Sequence, residues 1–168
     1  MIGNTMIDNT QKYYFFWKGP LSQWKVSYFD DSDGVHYCCA EQYMMYKKAL
    51  LFNDTETAQA IMNTSVPKEH QELGRQVKNF KQGVWDQHAR DIVYDGNMLK
   101  FTQNPKLLKL LLATEDKILV EASPIDCIWG IGLNEGDAIH THESEWLGKN
   151  WLGDVLTRVK RHFQAIDE

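Results

Sequence analysis

From residue 40 onward, segment after segment places apolar side chains three and four residues apart, and that spacing commits most of the chain to amphipathic helices. Residues 40–52 form the first, ending at Asn53-Asp54, a pair suited to stop one helix and cap the next. Thr55–Met62 follows as a short helix. Ser65-Val66-Pro67 then opens a third, with a cap and an early proline, running to Gly74 or just beyond. Residues 82–99 repeat Val84, Trp85, His88, Ile92 and Val93 at helical intervals, and Asn104-Pro105 starts a leucine-rich helix through Leu112. The last, Trp151–Ile166, lines up Leu152, Val155, Leu156, Val159 and Phe163 as a core stripe. Strands are few and short: residues 13–17, 26–29 and the Ile118-Leu119-Val120 stretch within 117–121. Residues 21–25 read as a turn or loop.

No linker, repeat or low-complexity run interrupts this pattern, and 168 residues suit one domain. Residues 13–168 are therefore expected to form a single domain, with residues 1–12 loose. A net charge of −5 carries no general electrostatic footprint for a nucleic-acid backbone. The three cysteines, Cys38, Cys39 and Cys127, show no CxxC spacing, so neither a disulfide framework nor a zinc site is suggested. The first eleven residues lack the apolar core of a secretory signal, and no run approaches membrane-spanning length. A cytoplasmic protein without membrane contact is expected.

Three segments carry more than helix and strand patterning. In residues 39–49, Glu41 and Lys48 lie seven positions apart, which returns them to nearly one azimuth, roughly 10 Å apart along a helix. Long side chains so placed can flank a ribose; the plainer reading is two solvated charges. Lys47 beside Lys48 would lower one amine's pKa by like-charge repulsion, and a neutral amine can attack a sugar carbon. In residues 123–133, Trp129 next to Gly130 suits stacking on a flat base, and Asp126 suits a ribose hydroxyl or proton transfer. The competing reading buries Trp129 in the core. In residues 143–153, Gly148-Lys149-Asn150 precedes a helix, where backbone N–H groups and a lysine make a phosphate seat, or where Asn150 simply caps.

Taken with Phe15-Phe16, Leu21-Ser22-Gln23-Trp24, Ala40-Glu41-Gln42-Tyr43, Leu73-Gly74-Arg75, Trp85, Lys100-Phe101 and Leu111-Leu112-Ala113-Thr114, these segments make an ordered set. It continues through Leu119-Val120-Glu121, Trp129-Gly130 and Leu152-Gly153. The set resembles the NADAR superfamily of YbiA-like N-glycosidases, over about residues 15–156. The resemblance implies an α+β, mostly helical single domain with a small β-sheet, no metal and no cofactor. It implies hydrolysis of the bond between ribose C1′ and a base nitrogen. The substrate would be ADP-ribosylated guanine or a phosphoribosylamino-pyrimidine intermediate of riboflavin synthesis. Nucleic acid would be a partner only as an ADP-ribosylated substrate.

Carried over by position, the resemblance makes Glu41 an acid/base or ribose-orienting carboxylate and Lys48 a nucleophile that forms a Schiff base at C1′. Asp126 completes the catalytic set as a sugar or base contact. Trp129 becomes a stacking platform with Gly130 beside it, Lys149 and Asn150 a phosphate or ribose contact, Arg75 a phosphate contact or structural ion pair, and Trp85 part of the substrate-binding set. Two positions depart from the YbiA-type pattern: Gln42 replaces a histidine, and Ile131 replaces the aspartate of Trp-Gly-Asp-Gly. Three functions stay open: a glycosidase on a phosphoribosyl small molecule, a hydrolase removing ADP-ribose from guanine, and a non-catalytic reader of ADP-ribose or NAD. His140-Thr141-His142-Glu143 is expected to be a solvated loop or a lid, its metal-ligand pattern lacking a third partner.

Overall fold

The computed structural model describes residues 7–166, and the chain packs as two compact units. One comprises the N-terminal residues to Gly19 together with Leu111 onward; the other runs from Pro20 to Leu110.

In the first unit, β1 (Tyr13–Phe16) pairs in parallel with β4 (Ile118–Glu121), Tyr13 opposite Ile118 and Phe16 opposite Glu121. Tyr13, Phe15, Val120, Ala122, Ile131 and Ala138 form a buried cluster. Trp146 closes it, its ring edge-on to Tyr13 at 4.9 Å and its indole N–H donating to the Thr141 carbonyl. The one-turn helix α6 (Glu135–Ala138) precedes that tryptophan. Residues 7–12, expected to be loose, are held: the Asn9 amide donates to the carbonyls of Ala138 and Thr141, and Asp8 caps a short 3₁₀ turn. Residues 1–6 lie outside the described residues.

The last helix, α7 (Trp151–Ile166), buries Leu152, Val155, Leu156 and Val159 as the stripe predicts, with Phe163 half-buried. Each such burial contributes about 1.5–3 kcal/mol. It also does what a third strand would do for β4. The Leu119 N–H donates to Thr157 Oγ1, while Asn150 accepts from the Glu121 N–H and donates to the Leu119 carbonyl. These bonds satisfy backbone groups that an unpaired sheet edge would leave open. The approach is so close that a Cβ on Gly153 would stand 2.2 Å from the Leu119 carbonyl oxygen.

The second unit is built around α1 (Ala40–Leu51), whose flanks are α2 (Thr55–Met62), α3 (Pro67–Gly74) and α4 (Gln82–Gln103). Small residues set the spacing. A Cβ on Gly74 would fall 2.2 Å from Met45 Sδ, and one on Gly96 would fall 2.6 Å from the Tyr43 ring. Asp54 caps α2 through Thr57 and also accepts from the Lys78 N–H. The fourth helix outruns the predicted 82–99 because Lys100 and Phe101 continue its buried face, and it stops where Asn104 meets Pro105. That proline opens α5 (Pro105–Leu112) as expected.

The predicted strand over 26–29 shrinks to β2 (Phe29–Asp30), antiparallel to β3 (His36–Tyr37). Val26 and Tyr28 are exposed and leave nothing for a longer strand to bury. Phe29 stacks on Tyr37 and Tyr43 meets Tyr37 edge-on to form the unit's aromatic cluster, and the Tyr37 hydroxyl donates to Asp31. No helix among the described residues is long and apolar enough to cross a membrane.

Candidate active site

In the second unit, α1 begins with Cys39 as its N-cap and carries Glu41 in its first turn and Lys48 in its last. Glu41 is 4% exposed, and its N–H donates to the Gln23 carbonyl at 2.9 Å. Lys48 is half-buried, with its amine 4.7 Å from the centre of the Phe80 ring and 5.4 Å from that of Trp85. Burial holds the Lys48 amine below the ordinary lysine range; the Glu41 carboxylate pulls it back up, and the Arg75 guanidinium pushes it further down.

The predicted depressed amine is therefore present, but its like-charged neighbour is Arg75, not Lys47. Consecutive helical residues do not face each other, and Lys47 lies over the rings of Tyr43 and Tyr46. Four predicted residues, Glu41, Lys48, Arg75 and Trp85, thus gather in this unit. Arg75 is exposed at the end of α3, while Trp85 is buried and serves as the floor beneath Lys48.

The Gln42 position has its own account. Its carboxamide accepts from the Cys38 N–H at 2.8 Å and donates to the carbonyls of Ile61 and Thr64, both at 3.2 Å. The residue that stands in place of a histidine is a buried latch between α1 and the end of α2. Sequence reasoning gave no role to the polar pair that Gln23 makes with Asn97. Asn97, fully buried, donates to Gln23 Oε1 at 2.9 Å, which leaves Gln23 Nε2 and Asn97 Oδ1 enclosed without partners. Orphan groups of this kind mark a bound water or a functional requirement.

Lys100, noted in the sequence only as part of the family pattern and given no role, has a buried amine that donates to the Ser22 carbonyl and is pushed down to about 7 by burial. Separately, an open cleft of about 440 Å³ lies between Asp31, Asp33, Lys47 and Asp95, and its walls include neither Glu41 nor Lys48.

In the first unit the other predicted residues converge, though not as a phosphate seat. Asp126 Oδ1 accepts the N–H groups of Ile128 and Trp129, both at 2.9 Å, and so fixes the turn that presents the indole. Trp129 is half-buried and meets Trp151 edge-on at 5.5 Å. The N–H groups of Lys149, Asn150, Trp151 and Leu152 donate in turn to the carbonyls of Cys127, Gly130, Ile128 and Trp129. These four amides are already used, so no anion can occupy them.

Asn150, at φ 55°, spends both side-chain atoms on β4 instead of on capping or substrate. Gly130 is buried, because a Cβ there would press on the carbonyls of Asp126 and Glu121 at 2.9 Å. Lys149 keeps an exposed amine 5.3 Å from the centre of the Trp151 ring. Ile131, at the position of the missing aspartate, is fully buried in this unit's core. At the other loop, His140 Nδ1 bonds to the Ile7 carbonyl and His142 Nδ1 to Ser144, while Glu143 pairs with Lys12.

A lysine amine held below its ordinary range, in the field of a carboxylate, thus sits on a mostly helical α+β scaffold. The chain belongs to the NADAR domain family, whose profile matches residues 11–164 and so spans both units. It is 44% identical over 167 residues to an N-glycosidase of Acanthamoeba polyphaga mimivirus, an alignment covering 92% of this chain and 98% of that one. It is 33% identical over 109 residues to the chloroplastic riboflavin biosynthesis protein PYRR of Zea mays, covering 62% of this chain and 16% of that protein.

Among solved structures, the NMR structure of the E. coli protein YbiA superposes with a TM-score of 0.75 at 24% identity, over 99% of this chain and 91% of that one. The α+β, mostly helical fold expected from the sequence is the one found. The chain is an N-glycosidase rather than a passive reader of nucleotide sugars.

Proposed function

We propose that the chain releases a base from ribose C1′ through a covalent intermediate on Lys48, with ADP-ribosylated guanine or a phosphoribosylamino-pyrimidine as substrate. The observation that carries this reading is the Lys48 amine. It rests on Phe80 and Trp85, its charged form is disfavoured by burial, and the Glu41 carboxylate acts on its charge. An amine neutral for part of the time is a competent nucleophile.

Its nitrogen bonds to C1′ as the C1′–base bond breaks, and Glu41 gives a proton to the departing nitrogen. Such general-acid help is worth about 10²–10⁴ in rate. The resulting ribosyl-lysine opens to a Schiff base. Water adds to that carbon, the C–N bond to Lys48 breaks, and free sugar leaves. On the second unit the Arg75 side chain is assigned to phosphate; on the first, Trp129 is assigned to a base, Asp126 to holding that indole in place, and Lys149 to phosphate. The kinship with a riboflavin biosynthesis protein supports the pyrimidine substrate, and an acidic chain favours a small molecule over long nucleic acid. We place the reaction in the cytoplasm.

The test offers the protein ADP-ribosylated guanosine and, separately, a phosphoribosylamino-pyrimidine, and follows free base by chromatography. Borohydride should trap a sugar adduct on Lys48 with the true substrate. Turnover with no adduct at that residue would refute the lysine mechanism, and release of base from neither compound would refute the substrate assignment.

A further inference from the structure

Three side chains far apart in sequence or overlooked by spacing rules meet at the start of α1. Cys38 Sγ and Cys39 Sγ lie 3.9 Å apart, and Cys39 Sγ lies 3.6 Å from His70 Nδ1. One donor atom from each residue falls within 4.8 Å of the other two, and this is the one such group of three among the described residues. With bond lengths of about 2.3 Å to sulfur and 2.0–2.1 Å to nitrogen, a tetrahedral zinc ion spaces two thiolates about 3.8 Å apart. It spaces a thiolate and an imidazole nitrogen about 3.6 Å apart. These two separations match those edges, and the third, from Cys38 to His70, is within 4.8 Å.

The surroundings prepare the same chemistry. His70 is fully buried on α3, and its Nε2 faces the Thr64 carbonyl at 2.6 Å. A carbonyl can only accept, so the ring proton sits on Nε2 and the Nδ1 lone pair is directed at Cys39. This is the arrangement that orients a ligating histidine. Cys38 and Cys39 are held by their backbones: the Cys38 N–H donates to Gln42, its carbonyl accepts from the Ser27 N–H, and the Cys39 thiol takes no part in capping α1. Cys39 is buried while Cys38 is partly exposed, which leaves a route for an ion and for a water as fourth ligand.

We propose that Cys38, Cys39 and His70 form a three-ligand site for a thiophilic divalent cation, zinc by preference, that pins the head of α1 to α3. The ion would lie at the turn that leads into Glu41 and would fix the helix on which Glu41 and Lys48 ride. The proposal does not depend on the glycosidase mechanism, because its readouts are spectroscopic and structural.

The experiment uses the full chain with Cys127→Ser, which removes the exposed third thiol, stripped with chelator and kept reduced. Cobalt(II) is titrated in and then displaced by zinc. The expected result is one cobalt per chain, with a sulfur-to-cobalt charge-transfer band and the visible bands of tetrahedral cobalt. Zinc should abolish both and raise the melting temperature. Cys38→Ser, at the partly exposed position, should keep its far-ultraviolet circular dichroism and lose at least tenfold in affinity. Absence of the charge-transfer band, an octahedral spectrum from surface histidines, or unchanged affinity in Cys38→Ser would each overturn the site and leave a corner of hydrogen-bonded thiols.

Discussion

Replacing Lys100 with methionine isolates the cost of a buried amine. Lys100 is fully enclosed on α4, its amine has one acceptor, the Ser22 carbonyl at 3.0 Å, and burial pushes its pKa from 10.5 to about 7. An ammonium group carries three donors, so one acceptor leaves the charged form poorly solvated. The folded pKa lies below the unfolded one, so between pH 7 and 10.5 the unfolded chain holds one more proton and stability climbs with pH. The full benefit is present above pH 10.5 and is lost as pH falls to 7. Its ceiling is about 5 kcal/mol at about 1.4 kcal/mol per pKa unit. From pH 7.5 to 8.5 the wild type should gain about 1 kcal/mol relative to Lys100→Met. Met matches the length, takes no proton, and leaves the Ser22 carbonyl with its Lys25 N–H partner. The assay is urea unfolding of both proteins at several pH values in chelating buffer; subtracting the two slopes removes every group they share. Parallel slopes would show that Lys100 keeps its charge in the fold and that the burial argument is wrong.

Three further outcomes follow from the geometry. Asn150→Ala should cost about 3–6 kcal/mol in chemical denaturation, since it strands two β4 backbone groups and replaces a residue that tolerates the left-handed region with one that does not. Unchanged stability with weaker substrate binding would return Asn150 to the substrate. Gly148→Ala would drive a Cβ to 2.2 Å from the Gly130 carbonyl oxygen, backbone against backbone, and should lose about 1–3 kcal/mol or more in a thermal melt. Arg75→Gln removes a charge that lowers the Lys48 pKa, so the rising limb of borohydride trapping should move to more alkaline pH; Glu41→Gln should move it to more acidic pH. A limb that stays in place in both variants would separate these charges from the amine.

The helices were legible because their apolar stripes bury locally, whatever packs against them: α1, α2, α3 and α7 begin where spacing and caps place them. Residues 26–29 misled because aromatic and β-branched content was read as burial, whereas Val26 and Tyr28 face solvent. Lys48 was found through helical spacing, but its like-charged neighbour was misassigned. A neighbour in sequence is one helical step away in azimuth, and Arg75 arrives from another helix altogether.

The Gly148-Lys149-Asn150 stretch teaches most about what local sequence withholds. It announces, correctly, that backbone N–H groups gather at a helix start, which is equally the signature of an anion site. What takes those donors is settled by carbonyls of residues 127–130, some twenty positions upstream, and by a strand edge that needs Asn150 and Thr157. Gly153 completes the set, because only a residue without Cβ lets the helix lie against β4. The family's recurrent pieces therefore divide by what their polar atoms already hold. Those of Asn150 and Asp126 are bound to backbone and build the scaffold, while the amines of Lys48 and Lys149 stand over aromatic rings.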